Sequence, residues 1–160
     1  MPRGMVKFLS RSSSETRRFA KAILERLFRL KKRPLVLALS GELGSGKTTF
    51  IQGLAKSIGI QEKIQSPTFV LAKWYRLPKR IKSFRHFIHI DCYRLEKASE
   101  VKHFNFPALL KNSETIAVIE WADRIRKFIP RSAVWINLRH SKHKNERFIE
   151  LKIQNAKLKI

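Results

Sequence analysis

Apolar and polar positions along the chain change period several times, and each change marks an element. Val6 to Ser10 predicts a short strand. Ser12 stands three residues before Glu15, the spacing of a helix-capping pair, and the apolar set Phe19, Ala20, Ile23, Leu24, Leu27 and Phe28 then falls on one helical face. Arg17, Arg18, Lys21, Arg26 and Arg29 lie largely off that face, and 31-KKRP-34 ends the helix. Leu35 to Ser40 is an unbroken apolar run of strand length. Phe50, Ile51, Leu54, Ala55 and Ile58 then return to helical spacing, with Gly59 as the stop. Ile60 to Gln65 predicts a polar connector. Val70–Tyr75 and Phe87–Asp91 predict two strands joined by a basic tip around Pro78. Ala98 to Leu110 predicts a helix broken at Pro107, and Thr115 to Ile119 a buried strand running into Glu120-Trp121. After Pro130, Ala133–Leu138 and Arg147–Ile153 predict an antiparallel hairpin at the sheet edge.

Between the Leu35–Ser40 strand and the next helix stands Gly41-Glu42-Leu43-Gly44-Ser45-Gly46-Lys47-Thr48, which reads G-x-x-x-x-G-K-T. Strand, glycine-rich loop and helix are the context in which this motif signifies a phosphate cradle. The glycines let successive backbone N–H groups converge, and the helix start adds its positive dipole end. Lys47 is a mobile cation for β- and γ-phosphates, and the Thr48 hydroxyl is a hard oxygen donor for Mg²⁺. This chemistry predicts a purine nucleoside triphosphate with Mg²⁺.

Three later stretches carry groups that can serve the same site. In Ser66-Pro67-Thr68-Phe69, a hydroxyl after a fixed proline on a loop before a strand matches the way switch loops reach a γ-phosphate. Asp91 falls at a strand end, where a carboxylate can face phosphate or Mg²⁺. Glu120 closes a core strand, the usual place of a second Mg²⁺ group, although an aspartate is more common there. His86 and His89 lack partners at metal-ligand spacing and read as packing or hydrogen-bonding residues.

Composition adds limits. The chain has 160 residues and 43% hydrophobic content, which predicts one domain, residues 1–160, with a substantial core. No apolar run reaches the length of a membrane span, the N-terminal stretch shows no signal-peptide pattern, and the single Cys92 fits a reducing cytosol. The balance of 35 Lys and Arg against 12 Asp and Glu, formally +23, supports two readings. One is a surface that attracts polyanions; the other is a solvated basic surface with no dedicated partner.

Taken together, Ser14-Glu15-Thr16, Gly41 to Phe50, Ser66-Pro67-Thr68-Phe69, 89-HIDCYRL-95 and Ile119-Glu120-Trp121 resemble the TsaE (YjeE) family, from about Ser10 to Glu150. That family comprises the ATPase of bacterial tRNA threonylcarbamoyladenosine biosynthesis. The resemblance implies an α/β P-loop NTPase-like three-layer sandwich: a central mixed sheet, helices on both faces and an antiparallel C-terminal hairpin. It implies that Gly44, Ser45, Gly46, Lys47, Thr48 and Thr49 hold ATP, that Thr48 and Glu120 ligate Mg²⁺, and that Asp91 and Glu120 serve catalysis. Thr68 would belong to the switch and Thr16 would lie near the adenine. The implied setting is the cytoplasm, and the implied partners are TsaB and TsaD, whose complex would be reset by ATP binding and slow hydrolysis. No catalytic-base glutamine stands out, and Arg94 is the nearest candidate for an arginine finger in cis, so slow intrinsic turnover is expected. Two alternatives are a small phosphotransferase, for which Asp123-Arg124 would be the kinase-like pair, and a basic tRNA-binding protein gated by nucleotide.

Overall fold

The computed structural model of the chain describes residues 4–30, 33–67, 71–78, 81 and 84–153. Among these, seven strands form one sheet: β1 (Met5–Ser10), β2 (Leu35–Ser40), β3 (Ala72–Arg76), β4 (His86–Asp91), β5 (Thr115–Glu120), β6 (Val134–His140) and β7 (Arg147–Ile153). Their order is β1-β7-β6-β2-β5-β4-β3. The centre, β6-β2-β5-β4, is parallel, and β3, β7 and β1 join it in antiparallel pairs. The parallel centre explains the continuous apolar runs, because such strands are covered on both faces.

Alternation along β2 divides the core. Leu35, Leu37 and Leu39 pack beneath helices α1 (Ser13–Arg29) and α2 (Lys47–Ser57), whereas Val36 and Ala38 face a second cluster. That second layer comprises 3-10 turns at Ala98–Phe104 and Ala122–Phe128 and the short helix α3 (Phe106–Lys111). The result is the three-layer α/β sandwich with a mixed sheet and a C-terminal hairpin.

The start of α1 is capped as its sequence predicts, with a small shift. Ser12 Oγ accepts the Glu15 N–H at 3.1 Å, and the Glu15 carboxylate accepts the N–H of Arg11, one residue before the cap, at 2.7 Å. This satisfies backbone donors that the first turn leaves open.

Helices α1 and α2 approach closely at Gly53. A Cβ there would lie 2.6 Å from both Arg17 Cα and Arg17 O. Helical glycine is normally a small liability that alanine relieves, but here alanine must push two helices apart. Gly53→Ala is therefore expected to destabilise the fold by about 1–3 kcal/mol, lowering the midpoint of thermal unfolding by about 3–10 °C. An unchanged or raised midpoint in calorimetry would contradict this packing.

Four local expectations are revised. The break near Pro107 lies at Asn105, which is left-handed (φ 48°), and Pro107 sits in the first turn of α3. A proline there forfeits no helical hydrogen bond, so it starts the second segment instead of ending the first. The β6–β7 hairpin is present but is not the sheet edge, because β1 pairs along its outer strand. The connector after α2 is not simply polar, since Ile60 and Ile64 are buried in the main cluster. Leu71 is left-handed (φ 60°) and β3 begins at Ala72, after the bend.

Candidate functional site

The parallel strands bring their C-terminal ends to one rim of the sheet. There β2 runs into the glycine-rich loop, and β4 and β5 end side by side with Asp91 opposite Glu120. Ligands in open α/β sheets bind at this rim.

The loop's course depends on Gly41 and Gly46. Gly41 adopts φ 142°, and a Cβ on it would lie 2.2 Å from Leu138 O. Gly46 caps α2 in the left-handed region (φ 97°), with no side-chain hydrogen bond at the cap. The open N-terminus of α2 thus faces the hollow of the loop.

Lys47 is buried, and its amine donates to Gly41 O at 2.7 Å and Glu42 O at 2.9 Å. The ammonium also lies 4.0 Å from the centre of the Trp121 ring. Burial lowers its pKa below the ordinary lysine value; Glu120, Asp91 and Asp123 oppose that shift in part. The cation therefore rests on neutral carbonyls and a ring face, partners that anionic oxygens can replace with gain. Ser45 Oγ is buried in the same loop with no hydrogen-bond partner.

Thr48, the first-turn hydroxyl of α2, donates to Glu120 Oε1 at 3.0 Å and Oε2 at 3.3 Å. Glu120 is buried, and its Oε1 also meets His89 Nε2 at 2.8 Å. A carboxylate only accepts, so His89 presents its Nε2–H to it. Asp91 Oδ1 accepts the Tyr93 N–H at 2.8 Å, and its Oδ2 accepts the Ser66 hydroxyl. The Ser66-Pro67 stem is thereby tied to the acidic rim. Thr68 lies outside the described residues.

Two hollows flank the loop. One, of about 350 Å³, is bounded by Ser45, Lys47, Thr48, Asp91, Glu120 and Trp121. The other, of about 220 Å³, is bounded by Thr16, Gly44, Gly46, Thr49, Lys144 and Arg147. Gly44, Gly46 and Thr49 border both. The structure thus groups Lys47, Thr48, Asp91 and Glu120 on one side and sets Thr16 on the other. Thr16 is buried, and its hydroxyl shares a hydrogen bond with Ser10 Oγ at 2.8 Å. Among the described residues no cluster of three or more His, Cys, Asp or Glu forms a ready metal cage. A site built on Thr48 and Glu120 needs further oxygens from a bound ligand, which is how Mg²⁺ is usually held.

A family model described as "Threonylcarbamoyl adenosine biosynthesis protein TsaE" matches residues 10–149. The chain belongs to the TsaE family. It is 30% identical over 122 residues to the tRNA threonylcarbamoyladenosine biosynthesis protein TsaE of Haemophilus influenzae, covering 76% of this chain and 73% of that one. Its identity to the protein of the same name from Treponema pallidum is 34% over 134 residues, covering 84% and 91%. The crystal structure of Bacillus subtilis YdiB matches with a TM-score of 0.69 at 25% identity, covering 97% of this chain and 90% of that one. A TsaE-family chain is a component of tRNA threonylcarbamoyladenosine biosynthesis. No helix among the described residues is long and apolar enough to cross a membrane.

His89 reads as a packing or hydrogen-bonding residue, and its hydrogen-bond partner is Glu120. Two neighbours of the loop escaped sequence reasoning. Arg147 donates from Nη2 to Gly44 O at 3.1 Å, and His140 Nε2 lies 3.0 Å from Leu43 O. Both stand at the ends of β6 and β7 that flank the turn between them, about a hundred residues from the loop, and only sheet pairing reveals them. Arg124, of the kinase-like Asp-Arg pair, packs its guanidinium 5.4 Å from the Tyr93 ring centre and 5.5 Å from that of Trp121. Cys92 is buried, and burial followed by the nearby Asp91 pushes its thiol up to about 12, so it is no nucleophile here.

Proposed function

We propose that this chain binds ATP with Mg²⁺ at the Gly41–Thr48 loop, hydrolyses it slowly, and uses that cycle on a TsaB–TsaD complex during tRNA threonylcarbamoyladenosine formation. One observation carries the reading. The Thr48 hydroxyl and the Glu120 carboxylate meet at 3.0 Å in the hollow that also holds the buried Lys47 amine. A hydroxyl, a carboxylate and a primary amine around a turn of converging N–H groups suit a metal-bound polyphosphate. The unpartnered Ser45 Oγ and the neutral partners of Lys47 fit the same ligand.

When bound, Mg²⁺ would supply charge neutralisation to the phosphate oxygens. Lys47 exchanges its carbonyl partners for phosphate oxygens, and the backbone N–H groups of Gly44 to Thr48 hold the remaining charge. Thr48 and Glu120 offer hard oxygen donors. His89 keeps the Glu120 carboxylate turned toward Thr48. Asp91 would orient a water once Ser66 releases Oδ2, which would tie turnover to movement of the 66–67 stem. That requirement, with no committed base among the described residues, predicts slow hydrolysis by the isolated chain.

His89→Ala is expected to weaken the Mg²⁺ dependence of ATP binding by about 10–100-fold, with His89→Gln restoring most of it, because an orienting hydrogen bond is lost and then replaced. Calorimetry of ATP binding across a Mg²⁺ series reads this directly; an unchanged dependence in His89→Ala would remove His89 from the site. The partner reading is tested by capture of TsaB and TsaD on the tagged chain with ATP, with ADP and without nucleotide. Nucleotide-dependent retention supports it, and no retention in any state overturns it.

A further inference from the structure

Among the described residues, the second face of the sheet is covered only in part. Over β2, β4 and β5 it carries the 3-10 turns and α3. Over β6, β7 and β1, alternation and register turn a different set outward, including Trp135 and Arg139 on β6, Phe148, Glu150 and Lys152 on β7, and Lys7 on β1. Phe148 is 47% exposed, and Trp135 is half-buried with the Arg126 guanidinium 4.3 Å from its ring centre. Lys7, Arg139 and Lys152 are exposed. Their one acidic neighbour on these three strands' outward face, Glu150, pairs with Arg139 at 3.6 Å and with Lys152 at 3.4 Å.

A face meant to receive a helix would be apolar through its middle. This one has a charged row flanked by two aromatic rings. Trp135 stands opposite Lys152 and Phe148 opposite Arg139, four residues along the pair, so the rings are about 13 Å apart along the strands. An exposed ring set among cations on an open sheet is an arrangement that holds unpaired bases while cations track phosphates; Phe148 supplies such a ring, whereas Trp135 already carries the Arg126 guanidinium. The outward face of α1 offers cations without aromatic rings, which leaves it with charge alone.

We infer that the open face of β6, β7 and β1 binds single-stranded or loop RNA, with a base stacked on Phe148 and phosphates on Lys7, Arg139 and Lys152. This does not depend on the nucleotide reading.

The test is fluorescence anisotropy of the full chain with a labelled 12-nucleotide single-stranded RNA, its blunt duplex, and polyglutamate as competitor. Phe148→Ala is expected to weaken single-strand binding roughly tenfold, with Phe148→Tyr remaining within about threefold of wild type. The pair Lys7→Glu with Lys152→Glu is expected to lose far more affinity than the charge-matched pair Arg18→Glu with Lys21→Glu on α1. Unfolding midpoints verify that each variant folds, and either the ring series or the charge pairs suffices alone. The inference is overturned if the single strand does not bind or binds no better than duplex. Equal losses from the two charge pairs, or full affinity in folded Phe148→Ala, also overturn it. Polyglutamate displacing the RNA at equal carboxylate and phosphate concentration would make the face a dock for an acidic protein instead.

Discussion

Replacing Lys47 by alanine is expected to abolish measurable ATP binding by the isolated chain. The amine now spends its hydrogen bonds on Gly41 O and Glu42 O and stands against Trp121. Those neutral partners offset only part of the cost of burying a cation, which is why its pKa is lowered. Anionic oxygens would repay that cost, and two charge-assisted bonds are worth about 3–6 kcal/mol, or roughly two to four orders of magnitude in affinity. The lowered pKa also sets a sign. As pH rises, Lys47 loses its proton earlier than an ordinary lysine, so ATP affinity should fall in alkaline buffer before surface lysines titrate. Folding should survive the substitution, because removing the buried charge also removes its desolvation cost. Lys47→Met keeps the apolar stem over Trp121 and controls for packing. Calorimetry decides the matter: affinity within about threefold of wild type in a folded Lys47→Ala protein would reject the assignment.

Glu120→Gln is expected to lower Mg²⁺-dependent ATP turnover by about 100-fold while changing Mg²⁺-free nucleotide affinity by less than about threefold. Glutamine keeps an acceptor for Thr48 and His89 but removes the negative charge that a hard cation needs. Alanine is the harsher test of structure. It would leave Thr48 Oγ1 and the buried His89 Nε2 without their partner and should also cost about 1–3 kcal/mol of stability. Comparing the two variants separates the metal role from the scaffold role. Equal turnover in Glu120→Gln, measured by phosphate release across a Mg²⁺ series, would take Glu120 out of the site.

Much of this arrangement was legible along the chain because local chemistry dictates it. The Leu35–Ser40 run could be little other than a doubly covered strand, and the glycines after it match a turn that a Cβ would block at Gly41. The Ser12 cap was visible for the same reason. Asp91 and Glu120 could be placed at strand ends from their flanking apolar runs, although their adjacency came only with the parallel pairing of β4 and β5. His89 could be read as packing or hydrogen-bonding, but its partner depends on that pairing: it stands opposite Val118, two residues before Glu120 on the neighbouring strand. Arg147 and His140 gave no local sign of reaching the loop. The outer place of β1 was hidden likewise, since a short half-buried strand can pair with any edge. Pro107 was misread because proline both ends and begins helices, and Asn105 settles which.

The central claim is that one triphosphate-bearing ligand draws Lys47, Thr48 and Glu120 onto a shared metal–phosphate centre. Its most direct test is a crystal structure of the chain with Mg²⁺ and a non-hydrolysable ATP analogue. The account predicts phosphates within the Gly41–Thr48 loop, Lys47 moved from its carbonyl partners onto them, and Mg²⁺ ligated by Thr48 directly and by Glu120 directly or through one water. An analogue bound elsewhere, or a loop left empty at saturating ligand with Lys47 still on Gly41 O, would contradict it.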